Sequence, residues 1–278
     1  MIHHFDHRWA TYDIESSRNS TALEKSDSNF EPLPRYWLPE ARAIERIKTK
    51  QWERGWLMGW RDITNATNER TVIAAVYPAV AIGHSIRNMF VAHPPHSAVA
   101  LLACLSSLPL DYVARQILGG THLTVEILKQ LPVLPPSFYT ESDINFIARS
   151  VLELTYTSHS MASLAHDLGY DGPPFPWDED RRAQLRAELD AWYARSYGLT
   201  RDELRYVLDP KDVFGESFPS ETFRVLKERE QKEYGEYRTQ RLVLEAFDKL
   251  ADSPRFGDEM FNRESTIKVP ALRTESGN

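Results

Sequence analysis

The sequence predicts an α+β protein: a segment of mixed strands and helices followed by a mainly helical region. Short β-branched or aromatic runs bounded by turn residues fall in the first half, at Trp56-Leu-Met-Gly-Trp60 and Thr71-Val-Ile-Ala-Ala-Val-Tyr77. Helical periodicity with capping signals dominates beyond residue 138. Between the two regimes, Pro132 and Pro135-Pro136 force an extended exit and place the best boundary near residues 137–141.

In chain order, residues 1–34 are polar, with Ser16-Ser17-Arg18-Asn19-Ser20 and Ser26-Asp27-Ser28-Asn29 as loop-like clusters. They read as a partly disordered connector closed by Glu31-Pro-Leu-Pro34. Residues 35–137 form the mixed domain. Its first element is a charged helix from Pro39 to Arg54, stopped by Gly55. The two strands follow, joined by the polar loop Arg61–Arg70. The spacing of Val99, Leu102, Ala103 and Leu105 suits a largely buried helix over Ser97–Ser107, and Pro109 starts another to Leu118. Thr124 is placed to cap a single turn, Val125–Leu131.

Residues 138–250 read as a helical scaffold. Thr140 with Asp143 forms a capping pair, Arg181–Tyr197 is amphipathic, and Thr200-Arg-Asp-Glu203 is a capping box. One long helix is expected over Ser220–Leu250, followed by a flexible tail, 251–278.

Composition narrows the function. With 278 residues and 42% hydrophobic content, a real core can form, which excludes a wholly disordered chain. The apolar runs around Val72–Ile82 and Ala98–Leu105 fall short of the roughly 20 residues that span a bilayer, and the terminus lacks the apolar stretch of a secretory signal. No membrane partner and a cytoplasmic location are expected. The single cysteine, Cys104, sits in an apolar run and reads as a buried structural residue. His3, His4 and His7 are expected on the surface rather than around a metal.

The net charge of −7 is unevenly spread. Residues 35–137 carry 11 basic and 7 acidic side chains, whereas residues 138–278 carry 19 and 27. A middle segment of opposite sign suits a polyanion-facing module on a solvated scaffold.

Catalytic signatures are missing. Gly-x-Ser-x-Gly, His-Glu-x-x-His, a Walker loop and Gly-x-Gly-x-x-Gly do not occur. Asp190 with Asp209-Pro-Lys211 mimics a nuclease set only by chance, because one carboxylate falls in a helix and the other in a helix stop. Amino methylation of a base needs an Asp/Asn-Pro-Pro-aromatic turn, and the nearest strings, His93-Pro-Pro-His96 and Gly172-Pro-Pro-Phe175, lack the first-position oxygen. What remains is the loop Arg61–Arg70 beside Trp60, together with Gly119-Gly-Thr-His-Leu123. Arg, Asn and Thr supply the donors and acceptors used in direct base reading, although a solvated turn has the same composition.

The run Gly119-Gly-Thr-His-Leu-Thr-Val-Glu-Ile-Leu-Lys-Gln-Leu-Pro-Val-Leu-Pro-Pro136 resembles the end of a target-recognition domain. Such domains occur in type I restriction specificity subunits and in single-chain adenine-specific methylases of type IIG and related phage-defence systems. A longer similarity to the carboxy-terminal region of those methylases covers most of residues 1–250. It runs through Phe5-Asp-His-Arg-Trp-Ala-Thr-Tyr12, Trp60-Arg-Asp-Ile63, Asn68-Glu-Arg-Thr-Val-Ile73, Leu152-Glu-Leu-Thr-Tyr156 and Ser220-Glu-Thr-Phe-Arg-Val-Leu-Lys227.

The resemblance implies that residues 35–137 select a DNA sequence for adenine methylation, with double-stranded DNA as partner. It also implies that S-adenosylmethionine belongs to the family's methyltransferase domain, whose motifs are not in this sequence. A fragment, a split-gene product or a late-start reading frame is therefore expected. The contact candidates are Trp60, Arg61, Thr64, Asn65, Asn68, Arg70, Arg87, Thr121, His122 and Lys129. Arg61, Asn65 and Asn68 are assigned to base edges. Arg87, Lys129, Thr121 and His122 are assigned to phosphate or to loop shape. Two alternatives stay open: methyltransferase or restriction activity completed by a missing domain or partner, and an inactive structural remnant.

Overall fold

The computed structural model describes residues 1–13, 15–219 and 221–256. The chain opens with a hairpin, β1 (Ala10–Tyr12) and β2 (Ser17–Asn19), paired antiparallel with Thr11 opposite Arg18. A short helix follows, α1 (Ala22–Ser26), closed at its start by a reciprocal Thr21–Glu24 capping box. This region is not the connector that its polarity suggests. Ile2 and Phe5 are buried in the main core, and His3, His4 and His7 are buried as well rather than on the surface. The physical reason is pairing among the polar groups. The fully buried Arg8 donates to the carbonyls of Lys25 at 2.7 Å, Asp27 at 2.8 Å and Thr157 at 2.9 Å, and Lys25 meets Asp6 at 2.7 Å.

Helix α2 (Glu40–Lys48) has only Ala43 buried, and before it Tyr36, Trp37 and Leu38 are all exposed. The sheet comes next: β3 (Trp56–Arg61), β4 (Ala74–Pro78) and β5 (Ile86–Met89), antiparallel in the order β4-β3-β5. The second strand starts three residues later than its β-branched run predicts. The amides of Thr71 and Val72 bond the Asp111 carboxylate, at 2.9 and 2.6 Å, instead of a neighbouring strand. Gly59 is required in β3, because a Cβ there would lie 2.6 Å from the Tyr77 hydroxyl and against the Arg87 carbonyl.

Among the described residues no strand follows Met89. Helix α3 (Pro95–Ser106) is apolar nearly all round and lies between β4 and α6 (Glu141–Thr155), with Cys104 buried in its last turn. Ser107 separates it from α4 (Leu108–Ile117), which carries Pro109 in its first turn. Thr124 caps α5 (Val125–Leu128), and Thr140 with Asp143 caps α6, both as the sequence indicates. Then come α7 (Ala162–Asp167), α8 (Glu179–Ser196), α9 (Arg201–Leu208) with its Thr200–Glu203 box, and α10 (Pro210–Phe214), started by Asp209.

The expected long last helix is two, α11 (Arg224–Tyr234) and α12 (Arg238–Leu250). Gly235 breaks it by entering the left-handed region at φ 76°, where its N–H caps Gln231.

The fold is thus α+β, with the strands among the described residues confined to the amino-terminal third. One apolar cluster runs from Ile2 through Trp56 and Leu102 to Leu154, Tyr193 and Phe256. The change from strand to helix falls between Met89 and Pro95, and residues 137–141 mark neither that change nor a break in the core. A second cluster lies beneath α8, α9, α11 and α12. The tail expected over 251–278 lies outside the described residues from position 257 onward, while Phe256 is buried. No single described helix is long and apolar enough to cross a membrane; α3 and α4 reach that composition only as a pair bent by 59°, and they form core.

Candidate nucleic-acid interface

The candidate surface grows from the end of β3. Asp62 follows it, with its backbone fixed on both sides: its N–H donates to Ser85 at 2.9 Å, and its carbonyl accepts from Leu123 at 2.8 Å. The buried carboxylate then anchors two outward side chains. Arg87, on the edge strand β5, donates through Nη2 at 2.7 Å, and His122 Nδ1 stands 3.5 Å away. The Arg87 guanidinium, more than any other neighbour, holds Asp62 below the usual carboxylate range. Both partners reach solvent, Arg87 with 50% of its side chain and His122 with 57%. Ile63 and His122 form an isolated bridge, so Gly119–Leu123 lies against the start of the loop.

The loop itself is held from within. Thr64 donates its N–H to Thr121 at 3.0 Å and its hydroxyl to Thr71 at 2.6 Å. Asn65 accepts from Thr67, closing a local turn at 2.9 Å. Arg115 of α4, paired with Asp111 at 2.9 Å, donates to the carbonyls of Ala66 at 2.8 Å, Asn68 at 2.8 Å and Glu69 at 2.9 Å. A backbone with no strand partner needs such donors, and one guanidinium fork supplies three of them.

This geometry sorts the ten sequence candidates. Trp60, Thr64 and Arg70 are buried, and the Trp60 indole donates to the Leu123 carbonyl at 2.8 Å, so none of the three is a surface contact. Arg61 is half-buried, with its proton affinity lowered by that burial, and among the described residues it has no ion pair. Asn65 is half-buried in its own turn. Asn68, Arg87, Thr121, His122 and Lys129 are exposed. The structure brings Arg87, Thr121 and His122 together around Asp62 and Thr64.

Sequence reasoning missed Asp62, Asp111 and Arg115, which position this surface. The last two had a signal, an Asp and an Arg four residues apart in an otherwise apolar helix. The nuclease-like carboxylates are committed elsewhere: Asp190 accepts from the Leu108 amide at 2.7 Å, and Asp209 caps α10 and pairs with Lys227. Among the described residues no three His, Cys, Asp or Glu side chains converge as metal ligands. No family model matches the chain, and neither a curated protein nor a solved structure matches it. Chemically, the surface offers an exposed guanidinium, an imidazole, a hydroxyl and an amide, the groups that bond phosphates and base edges.

Proposed function

We propose that this chain is a sequence-selecting, duplex-DNA-binding part of an adenine-specific restriction–modification system. In this reading methyl transfer from S-adenosylmethionine is carried by another domain or subunit. One observation carries the proposal: Arg87 and His122 are fastened in water by a single buried carboxylate, beside exposed Thr121 and Asn68. Fixed, exposed donors at the edge of a sheet lose little freedom when they meet a groove. The resemblance of Gly119–Pro136 to target-recognition domains supports the same reading. A methylase domain or subunit needs a surface to hold, and three consecutive exposed apolar side chains, Tyr36-Trp37-Leu38, support one.

The test is fluorescence anisotropy of the folded, monodisperse chain with labelled duplexes over a salt series. Salt-sensitive association is expected. Arg87→Ala is expected to weaken binding and to reduce the log–log salt slope by about one if Arg87 holds phosphate. Absence of salt-sensitive association with any duplex overturns the proposal. Methyl incorporation by the chain alone, from labelled S-adenosylmethionine, overturns the division of labour.

A further inference from the structure

A second, internal site lies where the amino-terminal segment, the end of the Asp62–Arg70 loop, α8, α11 and the start of α12 meet. These elements line a partly open cavity of about 40 Å3. Three guanidinium groups, Arg70, Arg186 and Arg229, and three carboxylates, Glu69, Asp190 and Glu230, line it. Equal numbers could pair one to one, but only one pair, Glu69 with Arg229, is within hydrogen-bond distance. Glu230 binds Thr239 with both oxygens, the amide at 2.7 Å and the hydroxyl at 2.6 Å. Asp190 accepts from the Leu108 amide, and its other oxygen stands 3.7 Å from Arg70, beyond hydrogen-bond reach. Glu69 pairs with Arg229 at 3.1 Å.

Two guanidinium groups keep donors without a protein acceptor. Arg70 is only 5% exposed, and its buried Nη1 has no acceptor. Arg186 is half-buried on the wall and makes no hydrogen bond or ion pair among the described residues. His4, also on the wall, is kept neutral by burial and adds no charge. A buried guanidinium donor without an acceptor, as at Arg70 Nη1, is costly unless something brings an acceptor to it. Water brings acceptors without charge; a compact anion brings both and matches the planar fork.

We propose that this cavity binds a free inorganic oxyanion, phosphate or sulfate, between Arg70 and Arg186. The volume suits a compact ion and is far below that of a nucleotide pocket. Because its walls come from both ends of the chain, the ion stabilises the seam between the amino-terminal segment and the helical region. This inference does not rest on the DNA reading.

The test is calorimetric titration of the full chain with sodium phosphate and with sodium sulfate, alongside thermal unfolding in the same salts. Saturable binding of one ion is expected, together with a rise in unfolding temperature that follows the same affinity. Arg186→Gln is expected to weaken binding about tenfold or more, with Arg186→Lys between it and wild type. Arg186 makes no hydrogen bond or ion pair among the described residues, so the glutamine variant should unfold much like wild type in chloride. Both anions also stabilise proteins by exclusion from the surface, and the variant controls for this. Equal stabilisation of wild type and Arg186→Gln, with no binding heat, overturns the site. Duplex DNA that competes with the phosphate heat identifies backbone phosphate as the ligand and overturns the free-ion assignment.

Discussion

Replacing Arg115 by methionine keeps the apolar stem while removing four interactions at once. Those lost are the 2.9 Å bond to Asp111 and the three donations, at 2.8, 2.8 and 2.9 Å, to the carbonyls of Ala66, Asn68 and Glu69. The guanidinium also lies 4.4 Å from the Phe223 ring centre, which ties the loop to the start of α11. Charge-assisted bonds contribute about 1.5–3 kcal/mol each, but they share one side chain and cannot be summed. The better guide is the cost of breaking a buried pair, about 3–5 kcal/mol, because Asp111 stays behind with its charge. Against a total stability of about 5–15 kcal/mol for a folded protein, this is a large fraction.

Urea denaturation checks it. The midpoint should fall while the slope is unchanged, and hydrogen exchange at the Thr71 and Val72 amides should accelerate, since both bond to Asp111. A loss under about 1 kcal/mol, the level of an exposed ion pair, refutes the claim that this fork holds the loop.

Gly59→Ala should push β5 away from β3, because the new Cβ meets the Tyr77 hydroxyl at 2.6 Å and the Arg87 carbonyl. A destabilisation of about 1–3 kcal/mol with weaker duplex binding is expected, and unchanged binding would show that Arg87 does not depend on this register. Burial pushes His7 down to about 4 from an ordinary value of 6.5, so the unfolded chain binds the extra proton between those values and stability falls as pH drops through that window. Asp190, raised by burial to about 6, opposes this between its ordinary 3.8 and that value, so the comparison is with His7→Gln rather than with pH alone. Relative to that variant, wild type should lose up to about 1.4 kcal/mol per pH unit on acidification, and parallel curves would contradict a buried neutral His7. Trp37 is 79% exposed while Trp52, Trp56, Trp60 and Trp192 are buried. Trp37→Ser should therefore leave stability within about 0.5 kcal/mol and remove much of the iodide-quenchable fluorescence, which an unchanged quenching curve would disprove.

Local chemistry made much of this fold legible. Thr124, Thr140 and Thr200 announce their helices because a cap needs only a hydroxyl before an orphaned amide, which is visible within four residues. The apolar face of α3 and the burial of Cys104 follow as directly from spacing. The errors share a different cause. Residues 1–12 look like a connector because their burial rests on Arg8, Asp6 and Lys25 pairing with distant partners, and composition records only that they are polar. The break at Gly235 was outweighed by apolar spacing that continues across it, in phase enough to suggest one helix. Strand β5 was missed because Ile86-Arg-Asn-Met89 shows no run of β-branched residues; it exists by pairing with β3.

The candidate surface displays the same division. A run rich in Arg, Asn and Thr matches the inventory of base reading, and it equally matches what a loop without strand partners needs in order to satisfy its own backbone. In Arg61–Arg70 the second demand prevails: Thr64 and Asn65 bond within or beside the loop, and Arg70 turns inward to the oxyanion cavity. Most of the exposed donors belong instead to the segments packed against the loop, Arg87 on the edge strand and Thr121-His122 after the double glycine, with Asn68 the exposed member of the loop itself. If the chain reads duplex DNA, substitutions at Arg87, Thr121 and His122 should therefore alter sequence preference more than substitution of Asn65. Matched changes compared over a duplex library test this, and an Asn65→Ala variant that relaxes preference most would return the reading role to the loop.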